Sequence, residues 1–302
     1  MREGAEARRH AFWLASRGAQ QMDLAVRFSA AALFREVRVL ALKGISIADE
    51  LYGGAQNRPM ADIDFLVVDV RRFAAAAGVA RSLGLVEAGA SDHALAFKEP
   101  ESGVVLELHV SLTACPGLFT VDHEAIWVRR APVPGTSMFR LSDEDLVVHL
   151  ALHTAFQHGF VAGEYHYRDF GRALDFLKPP ADRILARARE WGALKPLGAM
   201  AFSCRRDATR SKPLGDLLER ARPHCPKSIR RWLEAQALMP PPMSVLSLAR
   251  VRYALAPSKG GYARRSVFPK VLPGRTLPRR GTIQRLADLV GAGLFPPPPP
   301  RP

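Results

Sequence analysis

The apolar positions of the chain recur first with the period of a helix and then with that of strands. Apolar side chains are spaced helically through residues 5–35 and no proline interrupts them, which predicts one long helix. The apolar run VRVLAL at 37–42 predicts a buried strand, and ISIADELYGG at 45–54 predicts a short helix that ends at its two glycines. DIDFLVV at 62–68 predicts a second buried strand.

The same patterns continue for another forty residues. RRFAAAAGVARSLGL at 71–85 predicts a helix, and the segments HALAFKEP and GVVLELHVSL on either side of Glu101-Ser102-Gly103 predict an antiparallel hairpin. Strands that are interleaved with helices over about a hundred residues are typical of a layered domain. We therefore predict an α+β fold, with α/β layers, for the N-terminal part.

Beyond about residue 113, the sequence predicts an irregular connection followed by helices. Residues 114–135 carry three prolines and predict an irregular connection, whereas Ser142, followed by acids, predicts the start of a helix. A second helix is expected at 165–177, and more helices to about residue 235. These patterns predict three regions, namely an α/β domain with an N-terminal helix at 1–135, a helical domain with a basic C-terminal part at 136–290, and a disordered proline-rich tail at 291–302.

Composition narrows the class of protein. An apolar fraction of 48% with 24% charged residues is ordinary for a globular protein, and no apolar run is long enough to span a bilayer. The three cysteines are widely spaced, so they predict neither a disulfide framework nor a cysteine metal site. We therefore expect a cytoplasmic protein without a transmembrane segment.

The net charge of +14 is concentrated at one end of the chain. Residues 201–302 hold 20 Lys and Arg against 5 Asp and Glu. Such a region can attract a polyanion, but it is also typical of a solvated basic surface. We favour the surface interpretation, because the sequence contains no recognised nucleic-acid-binding module.

The first candidate chemistry lies in RPMADIDFLVV at 58–68. Side chains two apart on a strand point to the same face, so Asp62 and Asp64 project together while Ile63 faces the other layer. Neighbouring carboxylates repel unless a cation lies between them. Mg²⁺ is held in proteins by one or two carboxylates together with substrate phosphates.

A third acid strengthens the prediction of a metal site. In VVLELHV, Glu107 and His109 share the face opposite an apolar one. If this strand pairs beside DIDFLVV, Glu107 joins Asp62 and Asp64 around a pair of metal ions. His109 is then a candidate substrate contact.

The phosphate-binding side also has candidates. Lys43-Gly44 stands between a predicted strand and the N-terminus of a predicted helix, where backbone N–H groups favour an anion. Gly44 permits close approach of the backbone, and Lys43 supplies a charge. Arg58 is a candidate bidentate phosphate ligand.

Histidines mark the start of the predicted helical region. His149 and His153 are four residues apart and share a helix face, with His158 and Asp169 downstream. We favour local packing of these histidines over a metal site, and keep open that His153, His158 or Arg168 contacts substrate. His93 and Lys98, by contrast, are expected on the surface.

Four motifs in this order resemble the bacterial "uncharacterised nucleotidyltransferase" family, within the superfamily of the DNA polymerase beta type. They are LKG at 42–44, RPMADIDFLV at 58–67, LELH at 106–109 and HLALHTAFQH at 149–158. The resemblance implies a nucleotidyltransferase-type mixed sheet followed by a mostly helical domain. The wider superfamily usually has Gly-Ser where this chain has Lys43-Gly44, which removes a hydroxyl donor to the phosphate.

The resemblance also implies an activity, which is transfer of a nucleoside monophosphate from an NTP such as ATP to an acceptor hydroxyl, with release of pyrophosphate. Asp62, Asp64 and Glu107 would be the catalytic, metal-binding acids for two Mg²⁺ ions. Lys43 and Gly44 would bind the nucleotide phosphates. The acceptor (a small molecule, peptide, protein or RNA) and the oligomeric state are left open.

Two other functions remain open at this point. One is a non-catalytic nucleotide-binding or accessory protein of a biosynthetic or toxin–antitoxin system. The other is a phosphohydrolase that uses the His149 and His153 face, although such enzymes carry an adjacent His-Asp pair and Tyr167-Arg168-Asp169 is the nearest approximation here.

Overall fold

A computed structural model describes residues 2–161, 163–236 and 245–267. The chain divides into two compact units. The first contains residues 1–111 and 122–142, and the second contains residues 112–121 and those from 143 onward. The predicted proline-rich tail lies outside the described residues.

The first unit is built on a mixed sheet of seven strands. The strands are β1 (Val39–Leu42), β2 (Ile63–Val67), β3 (Val86–Ala90), β4 (Ala94–Lys98), β5 (Val105–His109), β6 (Ala131–Pro132) and β7 (Phe139–Arg140). Their order in the sheet is β3-β4-β5-β2-β1-β7-β6. Strands β2 and β5 pair in parallel, as do β1 and β7, and the other neighbours are antiparallel.

Four helices belong to the same unit, with 3₁₀ turns at Ala55–Asn57 and Val70–Arg72. They are α1 (Arg2–Phe34), α2 (Lys43–Tyr52), α3 (Phe73–Ser82) and α4 (His123–Arg129). The long helix, the two short helices, the two buried strands and the hairpin of β4 and β5 all lie where the hydrophobic pattern predicted them, within a few residues at their ends.

The core explains why the central strands read as continuous apolar runs. Every residue of β1 and β2 is buried, as expected for strands that are covered on both faces. The buried face of α1 includes Phe28, whose ring centroid lies 5.0 Å from that of Phe65 on β2. The polar residues of β2 therefore lie within a well-packed layer.

One sequence expectation for this part of the chain was wrong, and one strand was missed. Residues 114–135 contain a helix, because Asp122 accepts hydrogen bonds from the backbone N–H groups of Glu124 and Ala125 and so caps α4, and β6 then pairs with β7. Strand β3 was missed, because its residues are all exposed and lack an apolar face. Its pairing with β4, rather than its own pattern, makes it a strand.

The second unit is helical and begins with α5 (Asp143–Ala151), which a π-helical turn (Leu152–Gln157) continues. Another π turn (Ala173–Leu177) extends α6 (Glu164–Arg172), and a 3₁₀ turn lies at Arg222–His224. The remaining helices are α7 (Ala181–Trp191), α8 (Leu194–Ser203), α9 (Lys212–Ala221), α10 (Lys227–Gln236), α11 (Val245–Leu255) and α12 (Lys259–Val267). A mixed-sheet unit followed by a helical one confirms the predicted fold class.

Across the part of the chain that the structure describes, no helix combines the length and the hydrophobicity that a membrane crossing requires.

Candidate active site

Strand pairing brings two of the three predicted acids together at the centre of the sheet. In the parallel register of β2 and β5, Asp64 lies opposite Glu107 and Leu66 lies opposite His109. On its other side β2 pairs with β1, where Leu42 lies opposite Asp64. The strand neighbours of Asp64 are therefore the Glu107 strand and the end of β1, from which Lys43 follows.

Asp64 is the most constrained of the acids. Its carboxylate is buried, with Oδ2 lying 3.0 Å from Lys43 Nζ and Oδ1 lying 2.6 Å from His109 Nε2. Burial alone would raise the pKa of Asp64, but the Lys43 ammonium and the His109 imidazole together hold it well below its usual range. Asp64 is therefore ionised at neutral pH.

Glu107 and His109 complete this cluster. His109 Nε2 lies 3.3 Å from Glu107 Oε2, and its hydrogen bond lowers the pKa of Glu107. Burial opposes protonation of His109, yet its two carboxylate partners raise its pKa overall. The metal-binding atoms of Asp64, Glu107 and His109 all lie within 4.8 Å of one another.

Asp62 lies immediately before β2 and is less enclosed than Asp64. Burial, and then the negative charge of Asp64, raise the pKa of Asp62 to about 6. The charges of Lys43, Glu107 and His109 also act on this carboxyl group. Asp62 thus belongs to the same electrostatic cluster, in which its own negative charge is the least compensated.

Gly44 is in close contact with the loop that carries Arg58. A Cβ atom on Gly44 would lie 2.7 Å from Met60 Cγ and 3.0 Å from Arg58 Nη1, distances that real side chains do not accommodate without movement. Gln21 of α1 holds the same loop through a 3.0 Å hydrogen bond from Nε2 to the Met60 carbonyl oxygen. The loop therefore packs directly against the N-terminus of α2.

Local hydrogen bonds fix the conformations of Lys43 and Arg58. Lys43 adopts a left-handed backbone conformation with φ of 51°, and Ser46 Oγ donates a 2.8 Å hydrogen bond to its carbonyl oxygen. Arg58 is buried, and its Nη1 donates a 2.8 Å hydrogen bond to the Pro59 carbonyl oxygen. The structure thus brings Lys43, Gly44 and Arg58 together in the first unit.

His93 is a residue that the sequence analysis misplaced. It was expected on the surface, but it is buried, and its ring centroid lies 5.4 Å from that of His109. Asp92 Oδ1 lies 2.8 Å from its Nδ1. The signal was present in the predicted hairpin, because the register of β4 against β5 places Ala94 opposite His109 and so brings His93 alongside.

The histidines of the helical unit form a separate group. The imidazoles of His153, His158 and His166 have metal-binding atoms within 4.8 Å of one another, whereas the His149 ring centroid is 6.1 Å from that of His153. Arg168 forms an exposed ion pair with Glu164. The structure therefore groups three histidines instead of the pair His149 and His153 with Asp169.

Known proteins are similar to this chain in sequence and, over part of its length, in structure. The sequence model of a family described as "uncharacterised nucleotidyltransferase" matches residues 5–206. The region matched includes Lys43, Gly44, Arg58 and the acids of β2 and β5. No curated protein sequence matched the chain.

Two solved structures are similar to part of the chain. One is the solution structure of the antibiotic-resistance factor ANT(2'')-Ia, which is 17% identical with a TM-score of 0.43 and covers 57% of this chain and 94% of its own. The other is the crystal structure of ANT(2'')-Ia in complex with adenylyl-2''-tobramycin, which is 16% identical with a TM-score of 0.42 and covers 57% of this chain and 97% of its own. At these scores the likeness carries no argument about the acceptor of this chain.

Proposed function

The chain belongs to the uncharacterised nucleotidyltransferase family, and we propose that it transfers a nucleoside monophosphate from an NTP to an acceptor hydroxyl with release of pyrophosphate. The observation that carries this proposal is the parallel register that sets Asp64 opposite Glu107. Together with the pairing of β1 and β2, which places Lys43 Nζ 3.0 Å from Asp64 Oδ2, this register brings acids and a lysine from three separate sequence motifs into one cluster.

The donor set supports binding of a divalent cation. Asp62, Asp64 and Glu107 supply carboxylate oxygens, which are the ligands that Mg²⁺ prefers. Burial, and then the negative charge of Asp64, raise the pKa of Asp62, so a cation beside these carboxylates would favour its ionised form. These three residues would hold Mg²⁺, and the bound ion would supply charge stabilisation for the phosphates.

Other residues of the cluster would position the reactants. Lys43 and the backbone at Gly44 would bind the nucleotide phosphates at the N-terminus of α2, with Arg58 beside them. His109 fixes the carboxylates of Asp64 and Glu107 through its Nε2 atom. Such positioning accounts for much of the catalysis of phosphoryl transfer.

The chemical step needs no reactant other than the NTP and the acceptor hydroxyl. The acceptor oxygen would attack the α-phosphorus in line, a new P–O bond would form, and the bond to pyrophosphate would break. Glu107 is partly exposed, at 30% of its side chain, and would accept the proton of the acceptor hydroxyl before passing it to solvent.

Nucleotide binding tests the proposal without knowledge of the acceptor. Calorimetry with each of the four NTPs, with and without Mg²⁺, should detect binding that depends on the metal. Asp64→Asn and Glu107→Gln should each weaken it at least tenfold. Asp69→Asn is the matched control, because Asp69 is a carboxylate of the same unit that pairs with exposed Arg71 instead.

The activity is then tested with the best-binding nucleotide, labelled on its α-phosphate, against a panel of hydroxyl-bearing acceptors. Incorporation of label should require Mg²⁺ and be lost in Asp64→Asn. Metal-independent nucleotide binding that is unchanged in both site variants would overturn the proposal.

A further inference from the structure

We propose that His153, His158 and His166 form a binding site for a transition-metal ion of the Zn²⁺ type. The site lies within the helical unit and uses none of the residues assigned to nucleotidyl transfer. His153 is buried, while His158 and His166 are half-buried, so the group is enclosed but reachable from solvent. This metal-site proposal does not depend on the proposed transferase mechanism.

The spacing of the imidazole nitrogens matches a shared ion. The Nε2 atoms of His153 and His158 are 3.2 Å apart. Two nitrogens bound to one tetrahedral Zn²⁺ at about 2.05 Å would be separated by about 3.3 Å. The third histidine lies within reach, because the metal-binding atoms of all three lie within 4.8 Å of one another.

His166 is oriented by the backbone. Its Nδ1 lies 3.2 Å from the carbonyl oxygen of Gly163 and donates to it. That hydrogen bond places the proton on Nδ1 and orients the ring, as the outer hydrogen bond of a metal-ligating histidine does. Its ring lies nearly parallel to that of His153, at an interplanar angle of 9° and a centroid distance of 5.2 Å.

The π turn brings His158 beside His153. Residues five apart are rotated by about 140° on an α-helix and face different directions. In this turn the His158 N–H donates to the His153 carbonyl oxygen at 3.1 Å, the i→i+5 bond of a π-helix, so the two residues lie one above the other. Such turns are frequent at functional sites.

Contacts from two other helices hold this arrangement. Arg252 of α11 donates hydrogen bonds of 3.0 and 2.7 Å to the carbonyl oxygens of Phe156 and Gln157, at the end of the π turn. Tyr167 of α6 donates a 2.7 Å hydrogen bond to the Phe160 carbonyl oxygen, which ties the following loop to the helix of His166. The three ligands thus sit on supported backbone.

The ligand chemistry selects the metal. Three imidazoles suit Zn²⁺, Co²⁺, Ni²⁺ or Cu²⁺, whereas Mg²⁺ requires oxygen ligands. Three protein ligands leave a fourth position for water in a tetrahedral site. A bound ion would link the π turn to α6 and so stabilise the helical unit.

Titration of the full-length, tag-free, metal-stripped protein with Co²⁺ tests the site, because tetrahedral Co²⁺ gives intense visible absorption. Each titration contains excess Mg²⁺ to occupy the carboxylates. We expect one equivalent of tetrahedral Co²⁺, displaced by Zn²⁺, and a Zn²⁺-dependent rise in Tm. His158→Gln and His166→Gln should each weaken Co²⁺ affinity by more than the 10–100-fold that loss of an outer partner costs.

Two control variants distinguish this site from other histidines of the unit and from the carboxylate cluster. His224→Gln changes a histidine of the same unit outside the cluster and should leave the titration unchanged. His109→Gln removes the imidazole of the carboxylate cluster and should also leave it unchanged. Loss of the Co²⁺ bands in His109→Gln, or their persistence in both cluster variants with native circular dichroism, would overturn the proposal.

Discussion

Lys43 Nζ lies 3.0 Å from Asp64 Oδ2, and the two side chains are only 14% and 5% exposed. Removal of one partner from a buried ion pair leaves an uncompensated charge. Lys43→Met should therefore reduce the free energy of unfolding by about 3 kcal/mol, the lower end of that cost, because His109 also compensates Asp64.

Urea unfolding in a double-mutant cycle measures this coupling. Adding Asp64→Asn to Lys43→Met should recover part of the lost stability, and Lys98→Met provides an exposed-lysine control with a change within about 0.5 kcal/mol. Additive effects of the two site substitutions would show that the pair is not coupled.

The contact of Gly44 with Met60 predicts a second energetic coupling. Gly44→Ala would place a methyl group 2.7 Å from Met60 Cγ, so we expect overpacking to lower the free energy of unfolding by about 1–3 kcal/mol. Adding Met60→Ala to Gly44→Ala should restore much of that stability. Gly78→Ala is the matched control, since a Cβ there meets no described atom within 4 Å beyond its chain neighbours and the backbone of its own helix. This substitution should be neutral or stabilising by up to about 1 kcal/mol.

His123 predicts a pH dependence of stability. Burial lowers the pKa of His123, whose Nδ1 lies 3.2 Å from the Val68 carbonyl oxygen at the start of α4. His123 therefore binds a proton more readily in the unfolded chain than in the folded one. The free energy of unfolding should consequently fall as pH drops below the unfolded pKa of about 6.5, by up to about 1.4 kcal/mol per pH unit. In His123→Asn this component should disappear.

The measurement is the free energy of unfolding of both proteins by urea between pH 7.5 and pH 5. The difference between them isolates His123, because the other titrating groups are common to both. Parallel profiles would contradict the prediction.

Cys204 should be unreactive in the folded protein. Burial raises the pKa of its thiol to about 11, and the side chain is only 5% exposed. The thiolate fraction at pH 7 is then about 10⁻⁴, against about 3% for an ordinary thiol, so alkylation should slow roughly 300-fold from the pKa alone. Peptide mapping after iodoacetamide treatment, with urea-unfolded protein as the reference, measures it.

The sequence by itself determined the elements of the first unit and the identity of its chemistry. Because side-chain direction on a strand alternates locally, the sequence already placed Asp62 and Asp64 on one face of DIDFLVV, and Glu107 and His109 on one face of VVLELHV. The order of the Lys-Gly, D-x-D and E-x-H motifs indicated the family that the sequence match then confirmed.

Only the tertiary structure decided which of these residues meet. The parallel register of β2 and β5, which sets Asp64 opposite Glu107, depends on pairing between strands some forty residues apart, and no local pattern encodes it. The helical period indicated His149 with His153, whereas an i→i+5 turn, supported by Arg252 from about a hundred residues away, pairs His153 with His158. Local periodicity fixes which way a side chain points, but packing between distant segments fixes what it points at.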